Sequence, residues 1–224
     1  MDDDAAGKAT GKIYDRLFFR HWDTWADGRR SHVFVVPLAG GDPIDVMKAM
    51  DADSPSKPFG GKEEYVFTTD DKAIVFGARD VGREEAWSTN FDLFVAPVDG
   101  SAAPRNLTAA NKAWDAYPAF SPDGKTLAYA AMKRPGYEAD RFRIVLRAWP
   151  DGTDRVLTEG WDRSPGELTW SPDGKEIFAT ADDIGNHALF AIDVASGKVR
   201  TIVGTGHVVA PQADRDRVVY LLDS

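Results

Sequence analysis

The sequence predicts an all-β fold, a β-propeller of four-stranded antiparallel blades, on three observations. A motif recurs: residues 119–129 match 169–179 around a shared Ser-Pro-Asp-Gly-Lys, and 66–76 is a weaker copy. The anchors Phe67, Phe120 and Trp170 stand 53 and 50 residues apart. Gly (20) and Pro (13) fall at intervals between short runs rich in Val, Ile, Phe, Tyr and Leu, the pattern of short strands joined by turns. Each repeat holds four such runs, and four antiparallel strands per unit of about 40–50 residues is the signature of a propeller blade. A sandwich or closed barrel accounts for the strands but not for the repeat.

Taken in order, residues 1–11 read as a polar, disordered lead-in, and 12–20 as a short helix. An opening half-blade occupies 12–50, with only a third and fourth strand, C and D, at 31–38 and 43–47. Complete blades follow at about 64–108, 117–158 and 167–203. Within each, the Ser-Pro-Asp-Gly type of turn joins strands A and B: Pro presets φ, Asp bonds the backbone, and Gly tolerates positive φ. Strand C comes next (91–98, 143–149, 189–194), then a second turn at Asp99-Gly100, Asp151-Gly152 or Ser196-Gly197, then strand D (105–108, 155–158, 199–203). A closing half-blade spans 208–222, with strands A and B at 208–210 and 217–222. The anchors Phe67, Phe120 and Trp170 are expected in blade cores. Half-blades leave unpaired sheet edges, which proteins avoid, so the two halves are expected to pair with each other or across a homodimer.

Composition limits the function classes. The 224 residues carry 36 Asp+Glu against 27 Lys+Arg, a net charge of −9, and no cysteine. Disulfides, thiolate metal sites and a cysteine nucleophile are excluded. The acidic balance argues against nucleic-acid or anionic-membrane partners. No apolar run approaches the roughly 18–20 residues of a membrane span, and Met1-Asp2-Asp3-Asp4 has no signal-peptide character. His21, Asp23 and His32 lack metal-ligand spacing; His21, Trp22 and Trp25 are expected to pack a loop against a blade. No metal or cofactor is expected, and His187 and His207 stand alone. Asn106-Leu107-Thr108 matches a glycosylation sequon, but the equivalent Val156-Leu157-Thr158 lacks it, so β-propensity suffices as its explanation.

In an up-down meander the A–B and C–D turns share one face of the disc, and the B–C and D–A connections share the other. The first set is tight. The second is long: 21–30, 79–90 and 133–141 between B and C, and 109–116 and 159–166 between D and A, carrying Trp114 and Trp161. Long loops on a rigid scaffold are where binding resides. The loop 133–141, with Arg134, Tyr137 and Glu138, mixes charge with an aromatic. It suits contact with a substrate carbonyl or docking of another domain, and equally a surface loop with ion pairs worth at most about 1 kcal/mol each.

Four loop segments carry a specific resemblance: Arg20-His21-Trp22-Asp23-Thr24-Trp25, Pro55-Ser56-Lys57-Pro58-Phe59-Gly60-Gly61, Glu84-Glu85-Ala86-Trp87-Ser88-Thr89-Asn90-Phe91-Asp92 and Ala131-Met132-Lys133-Arg134-Pro135-Gly136-Tyr137-Glu138. With the blades between them, from about residue 12 onward, the chain resembles the N-terminal propeller of bacterial dipeptidyl or acylaminoacyl peptidases of the prolyl-oligopeptidase family. The resemblance implies a serine exopeptidase whose propeller gates and positions short peptides for an α/β-hydrolase domain with a Ser-Asp-His triad. No G-x-S-x-G nucleophile elbow occurs here; Ser164 comes nearest and lacks the first Gly. The catalytic domain is therefore expected outside this chain, and the chain alone is expected to be inactive. By the same resemblance, Glu84 and Glu85 suggest a carboxylate pair for the substrate's ammonium group, with Trp87 beside them; a solvated acidic loop is the alternative. The parent is expected in the periplasm or secreted, with a cytoplasmic location also open. The competing function is a non-catalytic TolB-like propeller that binds a protein or peptide.

Overall fold

A computed structural model describes residues 10–223; most of the expected lead-in, residues 1–9, lies outside the described residues. The helix expected at 12–20 does not form. The chain bends into β1 (Arg20–His21), which pairs with β2 (Thr24–Trp25). Tyr14 and Phe19 pack on Trp25 at ring distances of 6.0 and 6.1 Å, and a helix this short has no other surface to stabilise it.

The opening half-blade is a two-stranded sheet, β3 (Phe34–Val35) with β4 (Ile44–Asp45). Blade I comprises β5 (Tyr65–Phe67), β6 (Ala73–Ala78), β7 (Asp92–Pro97) and β8 (Arg105–Asn106). Blade II comprises β9 (Asp115–Phe120), β10 (Thr126–Ala131), β11 (Arg143–Ala148) and β12 (Asp154–Val156). Both are antiparallel meanders paired in chain order. Blade III repeats this with β13 (Leu168–Trp170), β14 (Glu176–Asp183), β15 (Asn186–Asp193) and β16 (Val199–Val203). The closing hairpin, β17 (His207–Asp214) with β18 (Arg217–Asp223), joins β15 through one parallel bridge between His187 and His207.

The A–B turns explain why a weak copy of the motif still folds as a blade. In the two strong copies, Ser121 and Ser171 donate Oγ–H to Asp123 and Asp173, and the same Oγ accepts from the N–H of Thr126 and Glu176. Gly124 and Gly174 take φ of +69° and +71°. In blade I, Thr68 makes the same bonds to Asp70 and Ala73, and Asp71 takes the left-handed position at φ +58°. The physical roles persist where the residue names change.

The core runs between blades. Val33, Val46 and Met47 of the half-blade meet Ile74, Phe76 and Phe94 of blade I. Val75, Leu93 and Leu107 meet Leu127, Tyr129 and Val145 of blade II. Ala128, Ile144 and Leu157 meet Trp170, Ile177 and Phe190 of blade III, and Phe178, Leu189 and Ala191 meet Val208. Trp170 is buried and donates Nε1–H to the Ala119 carbonyl at 3.0 Å, tying strand A of one blade to the next. Phe120 is half-buried edge-on to Trp149. Phe67 departs from the expected core position and is 46% exposed, whereas the equivalent Trp170 of blade III is buried. Nor do the half-blades close a ring within the chain: β3–β4 and β17–β18 belong to separate sheets with no hydrogen-bonded pairing between them. The last hairpin is captured by blade III, whose apolar face it covers.

Gly197 tests the close approach of blades II and III. It has φ +72°, and a Cβ there would sit 2.3 Å from the Leu157 carbonyl oxygen. Gly197→Ala should lower stability by at least about 2 kcal/mol, combining left-handed strain with forced separation of the blades; chemical denaturation measures it.

Candidate functional site

The two faces of the disc differ as the loop lengths predict. On the tight face, each C strand ends against the turn of its own A–B hairpin: the N–H groups of Val98, Trp149 and Val194 donate to the carbonyls of Lys72, Lys125 and Lys175 at 2.8–3.0 Å. On the opposite face, long loops of successive units are stitched by side chains. Gly136 N–H donates to Thr89 Oγ1 at 2.8 Å, joining loop 133–141 to loop 79–90. Phe142 N–H donates to Ser164 Oγ, and Arg141 donates to the carbonyls of Thr158, Glu159 and Trp161. Trp114 stacks on Phe91 at 4.7 Å and meets Phe142 edge-on at 5.7 Å.

Arg30 is the hub of this belt, and the repeat pattern did not single it out. Its guanidinium takes Glu85 bidentately (2.9 and 2.7 Å), Asp53 at 2.9 Å and Asp51 at 2.8 Å. Its side chain is 20% exposed, and those of Glu85 and Asp53 are 15% and 11% exposed. The bond to Glu85 leads in raising the Arg30 pKa. Burial pushes the Asp53 carboxyl up, but Lys57, the Ser31 N–H and Arg30 outweigh it and hold the group below its ordinary value. Asp51 is lowered, chiefly by its bond from Arg16.

The structure therefore separates the two glutamates that the sequence places together. Glu85 is committed to Arg30, while Glu84 is exposed on a 3-10 turn over Gly82–Ala86. Trp87 follows that turn and is 67% exposed. On the adjoining loop, Arg134 lies over the Tyr137 ring at 4.1 Å, and Glu138 is exposed. Asp140 pins this loop by accepting from the N–H groups of Lys133 and Arg134 at 2.7 and 2.8 Å. The six residues singled out by sequence thus lie on two loops tied through Thr89 and Gly136.

Sequence reasoning also passed over Arg79, which begins loop 79–90. It is half-buried, stacks on Phe91 at 4.8 Å and donates Nη1–H to the Ser88 carbonyl at 3.0 Å. Its Nε is buried without a partner. Glu64 was likewise missed: it is buried and accepts from the N–H and Oγ–H of Ser56 at 2.5 and 2.6 Å, folding loop 55–61. Burial raises its pKa against those bonds. Strands β5, β9 and β13 line a cleft of about 280 Å³ that includes Glu63, Tyr65, Tyr117, Glu167 and Trp170.

Other candidates resolve into structure. Among the described residues no His/Asp/Glu group could hold a metal ion; His32 Nδ1 meets Asp45 at 2.8 Å, and His187 Nδ1 meets Asp182 at 2.8 Å while its ring stacks on His207. Trp22 and Trp25 stay exposed instead of packing on a blade; Trp22 meets Phe59 edge-on at 5.5 Å. In the sequon, Asn106 Nδ2–H donates to Asp92 and buried Thr108 accepts from Leu93 N–H, as Thr158 does from Ile144. Among the described residues no helix is long and apolar enough to cross a membrane.

With this geometry in place, relatives supply context. Dipeptidyl-peptidase 5 of Porphyromonas gingivalis is 30% identical over 216 residues, 95% of this chain and 31% of that protein. By sequence, the chain is similar to a segment of dipeptidyl-peptidases. The dipeptidyl-peptidase 5 of Trichophyton equinum gives 33% identity over 203 residues, 82% of the chain and 28% of its own length. The chain spans under a third of these relatives. Among solved structures, a TolB-like protein of Agrobacterium tumefaciens superposes with a TM-score of 0.63 at 20% identity, over 85% of this chain and 62% of that one. Both the propeller fold and the resemblance to peptidase propellers are borne out. No protein-family model matches the chain.

Two predictions follow from the charged groups. Arg30→Met strands Glu85 in a partly buried position and leaves Asp53 only Lys57 and the Ser31 N–H, so stability should fall by about 2 kcal/mol, below the figure for fully buried pairs because water still reaches the cluster. Urea titrations of both forms report it. The second concerns Asp115, which is 1% exposed at the junction of blades I and II. Burial lifts its pKa to about 7 against the bond from Asn111. The native state then holds a proton that the unfolded chain releases near pH 4. The contribution of Asp115 to stability is complete below about pH 4 and is lost as pH rises from about 4 to 7. Asp115→Asn should flatten this slope and exceed the native protein at pH 8 by on the order of 3 kcal/mol, read from denaturation midpoints at pH 5 and 8.

Proposed function

We propose that this chain is the N-terminal propeller of a serine exopeptidase of dipeptidyl or acylaminoacyl type, and that it gates and positions short peptides for an α/β-hydrolase domain outside the chain. One observation carries the reading: a rigid belt of long loops, stitched across successive units on a single face, in a chain that aligns over 95% of its length with a dipeptidyl-peptidase. A fixed rim of this kind admits an extended peptide and excludes folded protein, which makes an exopeptidase selective for small substrates. The parent reaction is peptide hydrolysis through an acyl-enzyme. Glu84, Trp87, Arg134, Tyr137 and Glu138 form the proposed substrate-facing rim, and Glu85 holds it in shape through Arg30. The chain supplies no triad of its own, and the parent works in the periplasm or outside the cell.

The test is direct. The chain should show no turnover of dipeptidyl-arylamides, while the reading frame beyond Ser224 should encode a G-x-S-x-G elbow within a few hundred residues. A stop codon with no hydrolase partner would favour the stand-alone binding propeller, and turnover by the chain itself would refute the assignment of the chemistry elsewhere.

A further inference from the structure

The carboxylates of the loop belt that lie near Arg30 are already spent. Both oxygens of Glu85 are taken by Arg30, and Asp53 is shared among Arg30, Lys57 and the Ser31 N–H. Arg79 lies within electrostatic reach of Glu85, Glu138, Asp53 and Arg30, yet it forms no ion pair with any described residue. Its only hydrogen bond among the described residues goes to a neutral carbonyl, that of Ser88. Nη2 makes no bond and, unlike Nε, is not sealed from solvent. A half-buried guanidinium without a counter-charge is costly to maintain. Phe91 beneath it and Ser88 beside it also fix its plane, which lowers the ordering cost of binding a planar oxygen acid.

We infer that Arg79 is a receptor for a carboxylate of the peptide that occupies the loop face, with the anion meeting the Nη2 edge of the stacked guanidinium. The inference rests on the peptide-binding reading above and deepens it by naming the recognised group. Arg134, which also stacks on an aromatic, stands on the loop joined to Arg79's own through Thr89 and Gly136. It adds positive charge to the approach without contributing a buried donor.

Titration of the intact chain by NMR with three probes tests this: trialanine, trialanine amide, and Ala-Asp-Ala amide. Trialanine should bind at least about tenfold more tightly than its amide. The aspartyl amide tells a C-terminal carboxylate from a side-chain one, recovering affinity only in the second case. In R79Q the preference for the acid should vanish, whereas R79K should retain part of it; thermal melts confirm that each variant folds. If R79Q does not fold, the acid–amide comparison on the unaltered chain still decides. Equal binding of all three probes overturns the carboxylate assignment and leaves the peptide-binding face intact. Binding of none overturns both.

Discussion

Each blade of this chain is a sheet with two apolar faces, and everything else follows from the need to cover both. A four-stranded meander cannot bury itself, so blade packs on blade: Phe76 and Phe94 against Val33 and Met47, Leu127 and Val145 against Leu93, Trp170 and Phe190 against Ile144. Packing of this kind fans the strands around an axis and sends alternate connections to opposite faces. Where backbone approaches backbone most closely, as at Gly197 against Leu157, no side chain fits. The scaffold thereby presents its loops from fixed positions.

What the loops do with that placement is electrostatic. The tight face is closed by short-range turn bonds that use one Ser or Thr and one Asp per blade. The long-loop face is closed by charged groups reaching between units, above all Arg30, which draws Asp51, Asp53 and Glu85 from two separate segments. Two half-buried carboxylates and one exposed carboxylate on a single guanidinium hold a surface in shape more firmly than isolated exposed pairs. The same arrangement leaves Arg79 without a carboxylate. The face is thus held where it is neutralised and open where it is not, which suits the proposed peptide-admitting rim.

A propeller fold by itself says little about chemistry, since scaffolds and enzymes share it. At 20% identity, the likeness to the TolB-like structure shows the fold alone. Over nearly its whole length the chain is similar to a segment of dipeptidyl-peptidases, and the loop belt is the surface on which the proposed peptide binding rests.

The blade repeat was legible in the linear sequence because it is made of local chemistry. Ser-Pro-Asp-Gly turns and alternating strands report themselves within about ten residues, their recurrence shows in the 53- and 50-residue spacing of Phe67, Phe120 and Trp170, and even Thr68-Thr69-Asp70-Asp71 keeps the hydrogen-bonding roles of the motif. The division into a tight and a long-loop face followed from connection lengths alone. Tertiary structure decided what depends on distant partners. Glu84 and Glu85 are neighbours in sequence, but Glu85 faces Arg30, 55 residues away, and Glu84 faces solvent. Residues 12–20 read as a short helix, yet Tyr14 and Phe19 pack on Trp25. The half-blades look complementary on paper, but in the folded chain the closing hairpin pairs with β15 of blade III and not with β3–β4. Local turn geometry is written in adjacent residues; the pairing of charges and the covering of edges are settled only when the folded chain brings remote segments within a few ångströms.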